Sequence, residues 1–323
     1  MDLSVFFAGT AGSVPSARRG LPALLVRRGG DRILFDCGEG TQRQLVRTVG
    51  LADITDVFLT HLHADHWLGL PGMLKSFELR DRERPLTVHG PAPVLAVLDR
   101  LRIVFGRPAY GLDVVELEAG QRVRREGYEI VAFAVRHRGP AVGYALVEDE
   151  RPGRFDPEHA TRLGVRPGPD FGRLQRGEPV GGVHPEQVVG PARPGRKLVI
   201  SGDTRPTDAT VVAAHGADVL VHEATFGDDD AERAAATGHS TARQAAQVAV
   251  DAEVRLLALT HLSTRYRSGQ LRDEARDVFE RTEVPRDFDT IEVPLPERGA
   301  PELHRWDAEL RAPASRLSGV PPT

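Results

Sequence analysis

The sequence predicts a layered α/β fold in which helices cover packed β-sheets. Three observations lead there. Short apolar runs of strand length recur from residue 4 to residue 261, each bounded by glycine, proline or acids. Helical patterns fall between some of these runs and not others, so strands come in blocks with helices inserted after them. The tetrapeptide LTHL occurs at 59–62 and again at 259–262, each time after an apolar run. "FDCGEG" (35–40) and "VISGDT" (199–204) are a second such pair. Four-residue echoes are slight, but they suit two halves that each deliver a loop to one shared site.

The predicted strands, in order, are SVFFAG (4–9), ALLVRR (23–28), RILFDCG (32–38), DVFLTH (56–61), LTVHG (86–90), YEIVAFAV (128–135), VGYALVE (142–148), KLVISGD (197–203), DVLVHEA (218–224) and RLLALTH (255–261). GTQRQLVRTVG reads as a helix ended by Gly50. PAPVLAVLDRLRIVF carries proline near its start, where a missing N–H costs nothing. STARQAAQVAVDAE (240–253) opens on a Ser or Thr cap, and RDEARDVFER (272–281) is a further helical stretch.

Composition narrows the function. The 323 residues are 40% hydrophobic and 27% charged, ordinary for a globular chain able to bury a large core. A single cysteine, Cys37, excludes an internal disulfide and fits a reducing compartment. The N-terminus, with Asp2 and a very short apolar run, does not read as a signal peptide. No apolar stretch approaches the roughly 18 residues of a membrane span. The expected address is the cytoplasm, with no membrane partner. A net charge of −4 gives no global attraction to nucleic acid, so any such attraction must be local.

One segment stands apart. Residues 149–196 are dense in Gly, Pro and Arg. Between 151 and 177 lie six arginines (Arg151, Arg154, Arg162, Arg166, Arg173, Arg176) against three acids (Asp156, Glu158, Asp170), a local charge of +3. The segment reads either as a solvated insertion or as an arm that touches phosphates. After residue 293 the chain turns proline-rich, and residues 296–323 are expected to be a disordered tail. Within it ELHRWDAELR (302–311) spaces Leu303, Trp306 and Leu310 for one short docked helix.

The chemistry concentrates in THLHADHWLGL (60–70), which holds His61, His63, Asp65 and His66 within six positions. His61 and His63 end a strand two residues apart, so extended backbone turns both rings to one side. Asp65 and His66 follow in the turn and can face a second ion. Imidazole and carboxylate ligands favour zinc, with manganese also compatible. Further candidates sit just past predicted strands: His137, Asp203 and His261. Taken singly, His137 in the run RHR is more often a surface residue and Asp203 a turn residue; their joint placement carries the reading.

These motifs resemble the metallo-β-lactamase superfamily and, within it, the ribonuclease Z family of tRNA 3′-end endonucleases. The similarity runs through residues 3–293: FFAGTAGSVPSARRG, ILFDCGEGTQRQL, FLTHLHADHWLGLPGML, PLTVHGP, VRHRGPAVGY, ISGDTRP, HEATF, GHSTARQAA and LTHLSTRY follow in the family's order. LGVRPGPDFGRLQRGEPV is similar to the family's tRNA-gripping arm. Glyoxalase II-like hydrolases share the histidine turn but not VRHRGPAVGY, and Cys37 is not placed as the cysteine ligand of class B lactamases.

The resemblance implies an αββα sandwich of two mixed sheets flanked by helices. Residues 1–148 and 197–295 would form one domain, and 149–196 an inserted flexible arm. It implies one ion held by His61, His63 and His137, another by Asp65, His66 and His261, and Asp203 between them. It implies hydrolysis of pre-tRNA after the discriminator nucleotide, leaving a tRNA 3′-hydroxyl and a 5′-phosphate on the trailer. Asp65 would also orient the attacking water. His239 in TGHST would be the general acid, with Glu223 of VHEAT holding its ring. Arg265 and Tyr266 of LSTRY would engage the acceptor end, though a salt-bridged arginine and a packed tyrosine explain them nearly as well. Arg166, Arg173 and Arg176 would touch RNA from the arm. The GTAGS turn (9–13) is a weaker candidate for phosphate contact. The family's usual homodimer is expected, with pre-tRNA and not DNA as partner. Two rival readings remain: a hydrolase of small molecules (a thioester, lactone or cyclic phosphodiester) on the same fold, and a metal-free RNA-binding module.

Overall fold

The computed structural model describes residues 1–51 and 54–306. The strands are β1 (Leu3–Gly9), β2 (Ala23–Arg28), β3 (Asp31–Phe35), β4 (Asp56–Phe58), β5 (Leu86–Gly90), β6 (Leu112–Glu116), β7 (Arg122–Arg125), β8 (Tyr128–Ala134), β9 (Val142–Glu148), β10 (Lys197–Ile200), β11 (Val219–Glu223), β12 (Leu257–Thr260), β13 (Thr282–Glu283), β14 (Thr290–Glu292) and β15 (Glu302–His304). They form two mixed sheets, ordered β15-β14-β1-β2-β3-β4-β5-β6 and β13-β12-β11-β10-β9-β8-β7. Hairpin strands pair antiparallel, whereas β3 to β6 and β10 to β13 run parallel.

Alternation along the strands builds the layers. Phe7, Val26, Phe35 and Phe58 of the first sheet meet Tyr128, Ile130, Tyr144, Leu198 and Val221 of the second in the central core. The opposite face of the first sheet buries Leu25, Leu34 and Val57 beneath Leu70, Met73, Leu74, Val94 and Leu98 from helices Leu70–Glu78 and Val94–Arg100. The outer face of the second sheet takes helices Ala242–Asp251 and Ser268–Arg276. Small side chains at Ala242, Ala245, Ala246 and Ala249 are all fully buried and let the first of these lie close on the sheet. The result is the expected αββα sandwich.

Every strand predicted from the sequence is present. The strands not predicted are β6, β7, β13, β14 and β15; all but β14 sit at sheet edges. β6 and β7 bury no side chain fully, so neither shows the run of apolar residues that marks the other strands. Three helices differ from expectation. PAPVLAVLDRLRIVF forms two short helices, Val94–Arg100 and Arg102–Phe105, with Leu101 between them. The 272–281 stretch forms instead over Ser268–Arg276, because Val278 and Phe279 turn in to pack on the outer core. The predicted tail and docked helix are corrected at their start: Glu302–His304 pairs with β14 as β15, and Leu303 packs on the central core. The rest of both, 307–323, lies outside the described residues.

Residues 149–196 carry helices Pro157–Arg162, Pro169–Gln175 and Pro185–Val188, each begun by proline. Asp156 caps the first, its side chain accepting from the His159 N–H. Ala160, Val165, Leu174, Val180, Val183 and Val188 form a separate small core, flanked by Phe155 and Phe171.

Candidate metal centre and active site

The site lies where several strands release their chains at one end of the sandwich. His61 follows β4, His137 follows β8, Asp203 follows β10, Glu223 ends β11 and His261 follows β12. Open α/β sheets collect functional residues at this end because loops there diverge around a crevice.

Ligand atoms of His61, His63, His137 and Asp203 all lie within 4.8 Å of one another, and so do those of Asp65, His66 and His261. Asp203 joins the groups: its Oδ2 lies 3.7 Å from His61 Nε2, 3.8 Å from His137 Nε2 and 3.3 Å from His261 Nε2. Its Oδ1 lies 3.4 Å from His66 Nε2. Asp65 Oδ2 is 3.3 Å from His261 Nε2 and 3.6 Å from His66 Nε2. All seven residues singled out by sequence therefore converge, although four separate chain segments supply them.

The donor set tests well for a cation. His61 Nε2, His66 Nε2 and Asp203 Oδ1 are buried without a hydrogen-bond partner. Such atoms cost stability unless something else satisfies them. A divalent cation among neutral imidazoles and carboxylates does so, and nitrogen and oxygen donors of this kind suit zinc or manganese. Charge is shared unevenly: burial lowers the His66 imidazole, but the Asp203 and Asp36 carboxylates outweigh it and push it well up. Burial alone would raise the Asp203 carboxyl, yet His261, His66 and His61 around it hold it well below the usual range. Burial, with His66 nearby, pushes the His61 imidazole well down, toward the neutral form a ligand needs.

The backs of the imidazoles are held too, which fixes which nitrogen faces the centre. His66 Nδ1 meets Asp36 Oδ2 at 2.8 Å, and His61 Nδ1 meets Thr60 Oγ1 at 3.0 Å. The Thr60 hydroxyl in turn donates to Asp36, so one carboxylate orients two rings. His137 Nδ1–H donates to the Gly238 carbonyl at 2.8 Å, and His261 Nδ1 meets Thr225 Oγ1 at 2.8 Å. Asp36 and His261 both hold left-handed backbone conformations, φ 56° and 55°. Strain of that kind in non-glycine residues concentrates at functional sites.

Sequence reasoning missed Asp36, Thr60 and Thr225. A signal existed for Asp36: it follows an apolar strand in FDCGEG as Asp203 does in VISGDT. The GTAGS turn departs from expectation. Its Ser13 N–H donates to Asp65 Oδ2 at 2.8 Å and its Gly12 N–H to the Leu262 carbonyl at 3.0 Å, so these N–H groups brace the site.

His239 stands beside the cluster with Nδ1 2.9 Å from Glu223 Oε1. Burial lowers its basicity, but the Glu223 carboxylate and then Asp203 outweigh this and raise it to about 9. Glu223 is fully buried and fixed by the Thr204 N–H and by the Thr225 N–H and hydroxyl. Arg265 pairs with Asp230 at 3.4 Å, and the half-buried Tyr266 hydroxyl donates to the same carboxylate. Both thus have partners inside the protein. On the arm Arg166, Arg173 and Arg176 are exposed; Arg173 and Arg176 share Glu178 at 3.2 and 3.3 Å.

A family model described as the beta-lactamase superfamily domain matches residues 31–166 and 174–262. Fold and site thus define the class: a metal-dependent enzyme of the metallo-β-lactamase superfamily. The chain is 48% identical over 307 residues to "Ribonuclease Z" of Natronomonas pharaonis, covering 92% of this chain and 100% of that one. It is likewise 48% identical over 304 residues to "Ribonuclease Z" of Haloferax volcanii, covering 91% and 96%. Among solved structures it is similar to the short form of human tRNase Z, with TM-score 0.67, 28% identity, and coverage of 90% of this chain and 100% of that one. The chain belongs to the ribonuclease Z family. The small-molecule hydrolase is accordingly not favoured. No helix of the described residues is long and apolar enough to cross a membrane.

Proposed function

We propose that this protein is the endoribonuclease that removes the 3′ trailer from pre-tRNA, leaving a 3′-hydroxyl on the tRNA and a 5′-phosphate on the trailer. The observation that carries the reading is the 48% identity to ribonuclease Z across nearly the whole chain. The converging donor atoms support the hydrolytic chemistry.

In this reading His61, His63 and His137 would hold one divalent ion and Asp65, His66 and His261 a second, with Asp203 within reach of both groups; zinc would be the preferred metal. Ions there supply Lewis-acid neutralisation of phosphodiester charge and make water more acidic. The remaining steps belong to side chains. Asp65, braced by the Ser13 N–H, orients the attacking water in line with the scissile P–O3′ bond, and the proton the water loses as its P–O bond forms passes to solvent. As that bond breaks, the leaving 3′-oxygen takes a proton from His239 Nε2, the ring nitrogen not engaged by Glu223. Glu223 holds the ring and stabilises its protonated form, then receives no proton itself.

The arm, residues 149–196, is proposed to grip the tRNA body through Arg166, Arg173 and Arg176, by charge and shape. Its separate core supports a distinct role from the sandwich. Arg265 and Tyr266 remain proposed contacts to the acceptor end, poised on Asp230. A homodimer is part of the proposal; exposed Leu79, Leu95, Ile103 and Val104, on or beside the mutually packed helices of the first sheet's outer layer, support it. A cytoplasmic setting fits the one buried, free cysteine.

The deciding experiment incubates the protein with one pre-tRNA carrying a labelled trailer, with and without chelator, and maps the cut to the nucleotide. A metal-dependent cut just after the discriminator is expected. Cleavage elsewhere, or cleavage indifferent to chelation, would sink the reading.

A further inference from the structure

We infer that Glu297 is a positioning residue: it clips the neck of the 149–196 arm to the body and so sets the direction from which the arm meets pre-tRNA. The inference rests on the reading that the arm grips tRNA.

The neck is a two-stranded ribbon. Arg151 and Arg193 face each other across it, exchanging N–H to carbonyl bonds of 2.8 and 2.9 Å. The ribbon continues through Gly190 N–H to the Arg154 carbonyl, 2.9 Å, and Asp156 N–H to the Val188 carbonyl, 2.7 Å. Between these pairs the strands are pinched: a Cβ on Gly153 would fall 1.8 Å from the Gly190 carbonyl oxygen. Only glycine permits so close a crossing.

Two arginines directly opposite on paired strands repel. Glu297 resolves that repulsion from outside the arm. Its segment, the single turn Pro296–Arg298, follows β14 and belongs to the body. Arg151 donates to both its carboxylate oxygens, Nη1 to Oε1 at 2.7 Å and Nη2 to Oε2 at 3.0 Å. Arg193 Nη1 donates to Oε1 at 2.9 Å. The same arginines bond main-chain oxygens of the neck, Arg151 to Pro194 and Arg193 to Pro152, which keeps both guanidiniums in place.

Exposed ion pairs contribute little on average, but a bidentate fork shared by three charges is the exception. Its leverage here comes from position. The arm's apolar cluster shares no described residue with the three clusters of the body. No common core therefore fixes the arm's angle, and the neck with its clip must do so. A small rotation at the neck displaces Arg166 and Arg173, beyond it, by a larger distance.

The test compares steady-state kinetics of the full chain and its Glu297→Gln variant, which loses one charge and little volume. The KM for pre-tRNA should rise roughly three- to fivefold, with kcat unchanged. Turnover of bis(p-nitrophenyl) phosphate should not move. Glu297→Asp should recover part of the lost affinity. An unchanged KM for Glu297→Gln overturns the inference, as does a parallel fall in turnover of the small substrate, because Glu297 would then support the body. A triple variant, R166A/R173A/R176A, separates the two levels. If it raises KM while Glu297→Gln does not, the clip alone is wrong; if it leaves KM unchanged, the tRNA-gripping arm is wrong.

Discussion

His239 Nδ1 lies 2.9 Å from Glu223 Oε1 and 3.8 Å from Asp203 Oδ2, whereas, among the described residues, the nitrogens that His61 and His261 turn toward Asp203 have no such buried glutamate beside them. That difference in partner separates a proton donor from a ligand. His239→Ala should therefore lower kcat for pre-tRNA cleavage by about 10²- to 10⁴-fold while leaving bound metal unchanged. Glu223→Gln should lower kcat as well, since the amide cannot hold the ring protonated. Metal analysis beside single-turnover cleavage checks both; loss of metal in His239→Ala would place that ring among the ligands instead.

Asp36 touches no candidate ligand position facing the centre, yet it holds His66 directly and His61 through Thr60. Replacing it by asparagine should weaken metal affinity by about 10- to 100-fold. Competition against a chromogenic chelator measures this, and an unchanged affinity would show that the rings orient without it.

Gly12 lies against His261. A Cβ there would come within 2.6 Å of His261 Nδ1 and 2.7 Å of its carbonyl oxygen. Gly12→Ala should displace the ring that Thr225 and Asp65 otherwise hold, and cleavage should fall at least about tenfold. Thermal stability should change far less than activity. A fully active Gly12→Ala protein would mean that this loop yields freely.

Glu148 is buried between Arg28 and Arg196, at 2.8 and 2.7 Å. Burial raises its carboxyl, but the hydrogen bond from Arg196 and the charges around it hold it below the ordinary value of 4.5. A carboxylate with a lowered folded pKa adds stability that is complete above its unfolded pKa and is lost as pH falls through the folded one. The melting-temperature advantage of wild type over Glu148→Gln should thus be constant from pH 7 to about 5 and shrink below 4.5. Melting curves of both proteins across that range decide it; an advantage that grows on acidification contradicts the assignment.

Leu174 is fully buried in the arm's own core. Leu174→Ala should cost that module about 2–5 kcal/mol. Because the core is separate, limited proteolysis should cut first within 149–196 while bis(p-nitrophenyl) phosphate turnover survives. Simultaneous loss of both would mean that the arm and the sandwich fold as one unit.

The sequence by itself determined what depends on near neighbours. Short apolar runs bounded by glycine, proline or acids marked every interior strand but the three-residue β14, and the spacing His61-x-His63-x-Asp65-His66 turned its side chains toward a common point. Thr241 with Gln244 capped the alanine-rich helix as its residues predict. The edge strands β6 and β7 escaped notice because they bury no side chain fully and need no apolar pattern. Tertiary structure alone decided the partners separated by long stretches of chain: Asp36 behind His66, Thr225 between Glu223 and His261, and Glu297 across the arm's neck. A hydrogen bond between distant residues leaves no periodicity in the chain. It exists only after the sheets stack and bring those atoms within 3 Å or so of one another.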